Sequence, residues 1–299
     1  MATVIVIGGD STIGSGLVRA LMRRGDVVHS TTRRRILASD ERLHIDLADP
    51  DVSAARLPEA EVAFFAASIN GFAKARANQA LARQVNVVGS ASLASQLIRR
   101  GTHVVLLSST AVFDFSEPLI LADRPVSPKT VYGGIKAEAE AEFLKLGPAA
   151  SVVRLTKVLT ADMPVFTNWL DGLSHGQHVV AFSDLCFAPI ALSDAVAALL
   201  AVADDKGGGI YQFSASTDIS YAVAARHLAA KIGADPALVH EAKAVESGVP
   251  EEEIPKHTSL DMRRLALIMG RGPPDPYDAI GTVFRDVIVD ARSNFRKAK

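Results

Sequence analysis

Three polar side chains have the types and spacing needed to move a proton at a carbonyl group. Tyr132 and Lys136 are four residues apart in the run Tyr-Gly-Gly-Ile-Lys, so a helix places them on one face. A lysine ammonium beside a phenol favours the ionised phenol, which lets the tyrosine exchange protons near neutral pH. Ser109 follows the apolar run His103–Leu107, about twenty residues before the tyrosine, and its hydroxyl can hold a carbonyl oxygen. We therefore predict a catalytic set of Ser109, Tyr132 and Lys136.

A glycine-rich turn follows the first apolar run of the chain. It reads Gly-Gly-Asp-Ser-Thr-Ile-Gly and leads into a helical pattern, where backbone N–H groups at the helix start can bind a pyrophosphate. Ser11 stands at the middle glycine position, and its side chain takes room that a bare backbone would leave to the phosphates. The turn predicts a dinucleotide site, the alternative being a plain strand-to-helix turn. The cofactor contacts expected here are Gly8, Ser11, Thr12, Ile13 and Gly14.

The end of the second predicted strand bears on the choice between NAD and NADP. An acidic residue at this place binds the ribose 2′-hydroxyl and repels a 2′-phosphate. This chain instead has Thr-Thr-Arg-Arg-Arg at residues 31–35. Guanidinium groups bind phosphate through paired hydrogen bonds, so Arg33 and Arg34 predict NADPH as the cofactor. The alternative is a solvated basic loop.

Asp46 and Leu47 come directly after the third predicted strand. A carboxylate at this strand end can accept a hydrogen bond from the adenine amino group of a dinucleotide, so both residues are predicted as cofactor contacts. The alternative is that the Asp46 side chain caps the next turn.

The elements that must position these residues alternate between strand and helix. Short β-branched runs predict strands at Thr3–Ile7, Val27–Thr31, Leu43–Ile45, Val62–Ala66, His103–Leu107 and Ser151–Leu155. Helices fit between them at Thr12–Arg24 before Gly25, at Gly71–Arg100 before Gly101, and from Ser127-Pro128 to about Leu146. This alternation predicts an α/β fold with a Rossmann-type doubly wound parallel sheet.

The second half of the chain indicates a smaller C-terminal substrate lobe. Its helical patterns are shorter and separated by prolines and glycines, at Val165–Ser174, Ser193–Ala203, Ser220–Ile232, Ser259–Met269 and Tyr277–Ala291. We assign residues 1–160 to a dinucleotide-binding domain and 161–299 mainly to the lobe, with residues 176–205 returning to the first domain. The lobe is expected over the carboxyl ends of the strands, where doubly wound sheets bind ligands.

Composition narrows the class of protein. There are 32 basic and 33 acidic side chains, and 48% of the residues are hydrophobic, which argues against a disordered chain and a nucleic-acid polymer as partner. The single cysteine, Cys186, favours a reducing, cytoplasmic location. No apolar run reaches the roughly 18 to 20 residues that cross a bilayer. The histidines lack metal-ligand spacing, so no metal is expected. A small-molecule substrate is the expected partner.

The sequence also predicts the surroundings of several other side chains. Arg154 lies inside a strand pattern, where we expect it to meet a buried carboxylate or carbonyl. Trp169 is expected in the core, with the substrate pocket as the alternative. Four cations are candidates for contacting a substrate diphosphate, with solvated surface as the default: Lys157, Arg263, Arg264 and Arg271.

The order of these motifs resembles the extended short-chain dehydrogenase/reductase family over essentially the whole chain. The shared features are the glycine turn, Asp46, the run Phe65-Ala66-Ala67-Ser68, Asn86 in Gln-Val-Asn-Val-Val-Gly, Ser109 in Ser-Ser-Thr-Ala-Val-Phe, and the pair Tyr132 and Lys136. Within the family the chain looks most like the dTDP-4-dehydrorhamnose reductase branch of nucleotide-sugar enzymes. Here Ser-Ser-Thr-Ala-Val-Phe-Asp precedes Val-Tyr-Gly-Gly-Ile-Lys, and Val-Arg-Leu-Thr-Lys-Val-Leu follows.

The resemblance implies further roles and an assembly. Lys136 would also bind the nicotinamide ribose, while Ala66, Ala67 and Asn86 would lie near the cofactor. A homodimer would form through the Gly71–Arg100 and Ser127–Leu146 helices, for which the apolar side chains available to a core or an interface are Leu93, Leu97, Phe143 and Leu144.

The same resemblance orders the possible reactions. The 4,6-dehydratases of the family carry an Asp-Glu pair after the strand-five hydroxyl, whereas this chain has Thr110-Ala111. Epimerases of the family retain NAD, which goes with an acidic residue at the end of strand two. The leading hypothesis is an NADPH-dependent reductase of a nucleotide-linked 4-keto sugar, with Tyr132 as proton donor. The alternatives are an NADP-binding regulatory or sensor protein without turnover, and a reductase or epimerase of another carbonyl or sugar substrate.

Overall fold

The centre of the protein is a seven-stranded parallel sheet. The computed structural model describes the backbone of residues 1–297 and the side chains of residues 1–293. Its strands are β1 (Thr3–Ile7), β2 (Val27–Thr32), β3 (Arg42–His44), β4 (Val62–Phe65), β5 (His103–Ser109), β6 (Ala150–Leu155), β7 (Lys157–Leu159), β8 (Val179–Phe182), β9 (Cys186–Phe187), β10 (Pro189–Ala191), β11 (Gly209–Phe213), β12 (Ile219–Ser220) and β13 (Val239–Ala242). The central sheet has the order β3-β2-β1-β4-β5-β6-β11, and all its pairings are parallel. The predicted Rossmann-type sheet is confirmed.

The helices lie on both faces of this sheet and in the C-terminal lobe. They are α1 (Thr12–Arg24), α2 (Phe72–Ala77), α3 (Gln79–Arg83), α4 (Ser90–Ile98), α5 (Val131–Leu144), α6 (Pro164–Ser174), α7 (Leu192–Asp205), α8 (Tyr221–Ile232), α9 (Arg263–Met269), α10 (Pro276–Val283) and α11 (Arg285–Lys297). A π-helical segment, Gln84–Gly89, joins α3 to α4. The three other sheets have two strands each and pair β7 with β10, β8 with β13, and β9 with β12.

Two hydrophobic cores bury the central sheet. One face packs on α3, α4 and α5, around side chains such as Ile5 and Phe143. The other face packs on α1, α7 and α9, around Leu17 and Leu199. Burial on both faces is usual for a parallel sheet, because helical crossovers cover it. It leaves the carboxyl ends of the strands as the open edge.

A third core belongs to the C-terminal lobe and is rich in aromatic rings. Phe166 stacks on Phe284 with ring centroids 4.9 Å apart. Trp169 is buried there, as expected, and its indole Nε1 donates to the carbonyl of Val180 at 2.9 Å. The lobe core joins α6, α8, α10 and α11 and supports the loops above the sheet.

The helix that carries Tyr132 begins later than the sequence predicted. It starts at Val131 and not at Ser127, with Thr130 as its N-cap. Thr130 Oγ1 accepts the Gly133 N–H at 3.0 Å, whereas the Ser127 N–H donates to the carbonyl of Val112. The Ser-Pro signal was misread because Thr130, and not Ser127, supplies the side-chain oxygen that caps the helix.

Two other predicted helices are interrupted. Asn78 has φ −147° between α2 and α3, and its side chain accepts the Leu81 N–H, so the predicted 71–100 helix is broken there. Phe284 separates α10 from α11 within the predicted 277–291 helix. The fourth of the later helices begins at Arg263 rather than Ser259. At Asn78 the side-chain cap begins a new helix, and hydrophobic periodicity alone does not reveal such a break.

The apolar side chains predicted for a core or an interface differ in their burial. Leu93, Leu97 and Phe143 are fully buried within this chain, while Leu144 is 37% exposed. The three buried side chains therefore cannot contribute to a contact with a second copy. Homodimerisation stays a prediction.

Candidate active site

A cavity of about 780 Å³ lies at the carboxyl ends of the central strands. Its walls come from the glycine turn, the ends of β4, β5 and β6, the first turns of α5, and the C-terminal lobe. Doubly wound sheets bind ligands at this edge. The predicted site residues that line the cavity are Ser11, Thr12, Ile13, Ala66, Ser109, Tyr132 and Lys136.

The glycine turn is shaped for a close ligand approach. Gly8 has φ +87°, and a Cβ there would lie 2.5 Å from the Ala67 nitrogen. A Cβ on Gly14 would lie 2.2 Å from the Gly8 carbonyl oxygen. Both positions therefore require glycine, and the tight turn leaves the Thr12 and Ile13 N–H groups at the start of α1, where a helix has no intrahelical acceptor for them. This cradle fits the pyrophosphate of a dinucleotide.

The Ser11 side chain turns back toward the start of α1. Its hydroxyl donates to the Gly8 carbonyl oxygen at 2.9 Å and accepts the Gly14 N–H at 3.0 Å. The side chain thus folds back into the helix start as the N-cap of α1.

Tyr132 places its hydroxyl in the cavity beside Ser109. The tyrosine is 7% exposed, and its hydroxyl donates to Asn70 Oδ1 at 2.7 Å. Burial raises the pKa of Tyr132 to about 12, and the neighbouring Ser109 hydroxyl offsets part of that rise. The sequence had suggested a lowered phenol pKa, and that expectation is wrong for this state. At neutral pH the phenol keeps its proton, as a proton donor must.

Lys136 lies one helical turn further along α5 and is 4% exposed. Its ammonium donates to the carbonyl oxygen of Leu107 at the end of β5. Burial lowers the pKa of Lys136 to about 8, and the nearby Glu140 carboxylate acts in the opposite direction. Lys136 is therefore a cation at neutral pH, held between α5 and β5.

Glu140 was missed by sequence reasoning, although it continues the face of α5 that carries Tyr132 and Lys136. It is buried and accepts hydrogen bonds from Ser108 Oγ at 2.5 Å and from Arg154 Nη2 at 2.8 Å. Arg154 thereby meets a buried carboxylate, as the strand pattern led us to expect. The spacing of four residues from Lys136 was the signal that could have revealed it.

A residue that sequence reasoning did not single out lies beside the end of β2. Asp10, from the glycine turn, accepts a hydrogen bond from Thr32 Oγ1 at 2.5 Å and lies 3.4 Å from Arg34 Nη2 and 3.5 Å from Arg42 Nη1. Arg33 is exposed, and in the described part of the chain it has no ion pair. Of the two arginines predicted to select NADPH, only Arg34 adjoins the turn.

Three other predicted cofactor residues are engaged by contacts within the fold. Asp46 Oδ1 accepts the Ala48 N–H at 3.0 Å, the turn-capping contact given as the alternative, and its contact with adenine stays a prediction. Leu47 is buried in the core. Asn86 accepts the Ile69 N–H at 2.8 Å and donates to the Ile69 carbonyl at 3.1 Å. Asn86 therefore fixes the backbone of Ile69, which directly precedes the cavity residue Asn70.

Among the four candidate cations, Lys157 alone lines the cavity. Its side chain is exposed into that space, and desolvation by the walls lowers its pKa. Arg264 donates to the Gly208 carbonyl, and Arg271 pairs with Asp194. Arg263 pairs with Asp261. These three have structural partners away from the cavity.

Residues 1–297 contain no helix long and apolar enough to span a bilayer. Within the same residues, no cluster of three or more His, Cys, Asp or Glu side chains is arranged to hold a metal ion.

The fold and the site define an NAD(P)-dependent oxidoreductase of the extended short-chain dehydrogenase type. Residues 1–288 match the family described as RmlD substrate binding domain, and the chain belongs to that family. It is 26% identical over 275 residues to a dTDP-4-dehydrorhamnose reductase of Mycobacterium tuberculosis, covering 88% of this chain and 86% of the relative.

Solved structures show the same architecture. A dTDP-4-dehydrorhamnose reductase from Clostridium acetobutylicum gives a TM-score of 0.81 at 20% identity, covering 95% of this chain and 99% of that chain. One from Bacillus anthracis in complex with NADP gives a TM-score of 0.80 at 16% identity, covering 95% and 99%. The resemblance inferred from the motifs is confirmed.

Proposed function

We propose that the protein reduces the keto group of a nucleotide-linked 4-keto sugar with NADPH as the reductant. The observation that carries the proposal is that Tyr132 and Ser109 line the same cavity as the glycine turn. The curated relative is a dTDP-4-dehydrorhamnose reductase, which favours dTDP-4-dehydrorhamnose as the first substrate to test. The residues of the site have separable tasks.

The start of α1 would hold the cofactor. The Thr12 and Ile13 N–H groups at the helix start would donate to a bound pyrophosphate, whose charge the helix dipole favours. When bound, NADPH supplies the hydride that reduces the carbonyl carbon. Lys136 lies buried where its ammonium can donate to the nicotinamide ribose, as the family resemblance implies.

Ser109 and Tyr132 would act on the carbonyl oxygen. The Ser109 hydroxyl orients that oxygen by a hydrogen bond, and the Tyr132 phenol gives its proton to it as negative charge develops. The Lys136 ammonium, one helical turn away, stabilises the charge that remains on the phenol oxygen. With a phenol pKa of about 12, Tyr132 carries its proton at neutral pH, which suits a reduction.

Dehydration is not supported by the residues after β5. Thr110 Oγ1 donates to the carbonyl oxygen of Thr258 at 3.0 Å, and Ala111 carries no ionisable group. Neither can add and remove protons at carbon as an acid–base pair would. Net reduction needs only the proton that Tyr132 provides.

The substrate side of the cavity has a cation for a diphosphate. Lys157 is exposed into the cavity near the end of β6, and its positive charge complements phosphate oxygens. The lobe residues Met163, Leu185 and Phe187 give this wall an apolar surface for a base or sugar face. Of the four candidate cations, we assign Lys157 to the substrate diphosphate.

NADPH is preferred over NADH in this proposal because of Arg34, which follows β2, and Arg42, the first residue of β3. Both guanidinium groups lie beside the glycine turn, and an arginine there can bind a 2′-phosphate. The structural neighbour from Bacillus anthracis was solved with NADP. Arg33, which faces solvent, contributes less than the sequence suggested.

The experiment that tests the proposal follows NADPH oxidation with a panel of carbonyl compounds. The panel contains dTDP-4-dehydrorhamnose, a UDP-linked 4-keto sugar, and simple aldehydes and ketones. We expect turnover with the nucleotide sugars and an increase of KM for them when Lys157 is changed to Met. NADPH binding without turnover of any compound would contradict the proposal and favour a sensor of NADPH.

A further inference from the structure

Asp10 places a carboxylate beside the end of β2. It belongs to the glycine turn and lines the cavity, yet its side chain reaches across to the end of β2. There Thr32 Oγ1 donates to Asp10 Oδ2 at 2.5 Å, and the Arg34 N–H donates to that same Thr32 oxygen at 3.0 Å. In dinucleotide-binding sheets, an acid at the end of this strand binds the ribose 2′-hydroxyl. Here the acid comes from the turn instead.

The carboxylate forms long ion pairs with two arginines. Its oxygens are 3.4 Å from Arg34 Nη2 and 3.5 Å from Arg42 Nη1. The Asp10 side chain is 22% exposed, and the two arginine side chains are 59% and 40% exposed. Ion pairs this open exchange partners at little cost, so both arginines remain available to an incoming phosphate.

We propose that Asp10 is a residue that sets cofactor specificity. Its carboxylate accepts a hydrogen bond from the ribose 2′-hydroxyl of NADH and repels the 2′-phosphate of NADPH, while Arg34 and Arg42 attract that phosphate. The protein therefore binds both cofactors, with a smaller preference for NADPH than its arginines alone would give. This inference rests on the proposed function, since it needs a dinucleotide in the cavity.

A purely structural role for Asp10 makes a different prediction. If the carboxylate served only to fix Thr32 and the turn, removing its charge would weaken NADH and NADPH alike. A specificity role instead moves the two affinities in opposite directions, because the charge acts only at the 2′ position. The ratio of the two dissociation constants separates these roles.

The test measures the dissociation constants of NADH and NADPH by fluorescence titration for the wild-type protein and Asp10→Asn. Asparagine keeps an oxygen acceptor for Thr32 and loses the charge. We expect tighter NADPH binding, weaker NADH binding, and a change of about tenfold or more in their ratio, the size of one unit charge removed near a phosphate at partial exposure. The fragments 2′,5′-ADP and 5′-ADP should show the same shift.

Two further variants serve as controls. Asp40→Asn removes an equal charge from an exposed residue between β2 and β3 and should leave the ratio within about twofold. Asp10→Ser tests the same inference if the asparagine variant fails to fold. A ratio unchanged in both Asp10 variants, or a parallel loss of both cofactors, would overturn the inference while leaving the reductase proposal intact. Failure of the wild-type protein to bind either cofactor would instead contradict the proposed function.

Discussion

The hydroxyl of Tyr132 donates a hydrogen bond to the side-chain oxygen of Asn70 at 2.7 Å. Asn70 directly follows Ile69, whose N–H and carbonyl are both held by Asn86. The proton proposed for catalysis therefore already has an acceptor in the cavity wall. A substrate carbonyl must take the place of Asn70 before the proton can be transferred.

Changing Asn70 to Asp should slow the chemical step. A carboxylate accepts a hydrogen bond more strongly than an amide does, by about 1 kcal/mol or more, so the phenol proton would be held more tightly. We expect kcat to fall about tenfold or more, with NADPH affinity changed less than twofold. Steady-state kinetics and a cofactor titration measure the two effects. An unchanged kcat would mean that Asn70 does not compete with the substrate.

The activity should depend on the charge of Lys136. Because burial lowers the pKa of Lys136 to about 8, its ammonium is present below that pH and is lost as the pH rises through it. We expect kcat/KM to fall above about pH 8. Arginine keeps its charge in this range, so Lys136→Arg should remove this fall from whatever activity remains. A wild-type profile that is flat to pH 10 would contradict the assigned role.

Folding stability should respond to the same group in the opposite sense. The unfolded chain binds a proton at Lys136 up to its ordinary pKa of 10.5, while the folded protein releases it near 8. Between these values the unfolded state holds more protons, so the contribution of Lys136 to stability rises with pH. A fall in activity above pH 8 would therefore not come from a loss of folding stability at Lys136.

Removing the carboxylate of Glu140 should destabilise the protein strongly. Glu140→Gln leaves the buried Arg154 guanidinium without its charged partner, and breaking a buried pair in this way costs roughly 3–5 kcal/mol. The matched control is Glu142→Gln, two residues further along α5, where an exposed pair with Lys145 is lost at a cost below about 1 kcal/mol. Urea unfolding measures both. Equal effects would show that the Glu140 network is not a buried ion pair in solution.

Alanine substitutions at the two adjacent glycines between Tyr132 and Lys136 should have different effects on stability and activity. A Cβ on Gly133 would lie 2.0 Å from the Ala111 carbonyl oxygen, whereas a Cβ on Gly134 meets nothing within 4 Å. Gly133→Ala should push α5 away from the end of β5 and lower both stability and activity. Gly134→Ala should stabilise the helix by about 0.5–1 kcal/mol and keep activity. Thermal unfolding and turnover of the two variants decide it, and similar behaviour would contradict the packing of α5.

The sequence predicted best where the signals are local. The bounds of α1 agree with prediction because Ser11 caps its start and Gly25, with φ +86°, ends it. Strand positions were also close, since β-branched runs are bounded by turns. The start of α5 was misplaced because Ser127 and Thr130 are both capping residue types, and the structure uses Thr130.

The candidate site was predicted in part for the same reason. Residue types and spacing placed Ser109, Tyr132 and Lys136 together, because parallel strand ends and one helix face converge on one edge. Burial then set the phenol pKa, and burial depends on the whole fold. Asp10 and Asn70 escaped notice because their roles arise from contacts with residues 22 and 62 positions away.

The measurement that tests the central claim most directly is NADPH oxidation with dTDP-4-dehydrorhamnose by the wild-type protein and Tyr132→Phe. Phenylalanine keeps the ring but removes the proton donor, so we expect turnover to fall by about 10² to 10⁴. NADPH affinity should stay within about twofold, because the hydroxyl contacts the carbonyl oxygen and not the cofactor phosphates. Turnover that survives the change would mean that Tyr132 is not the proton donor.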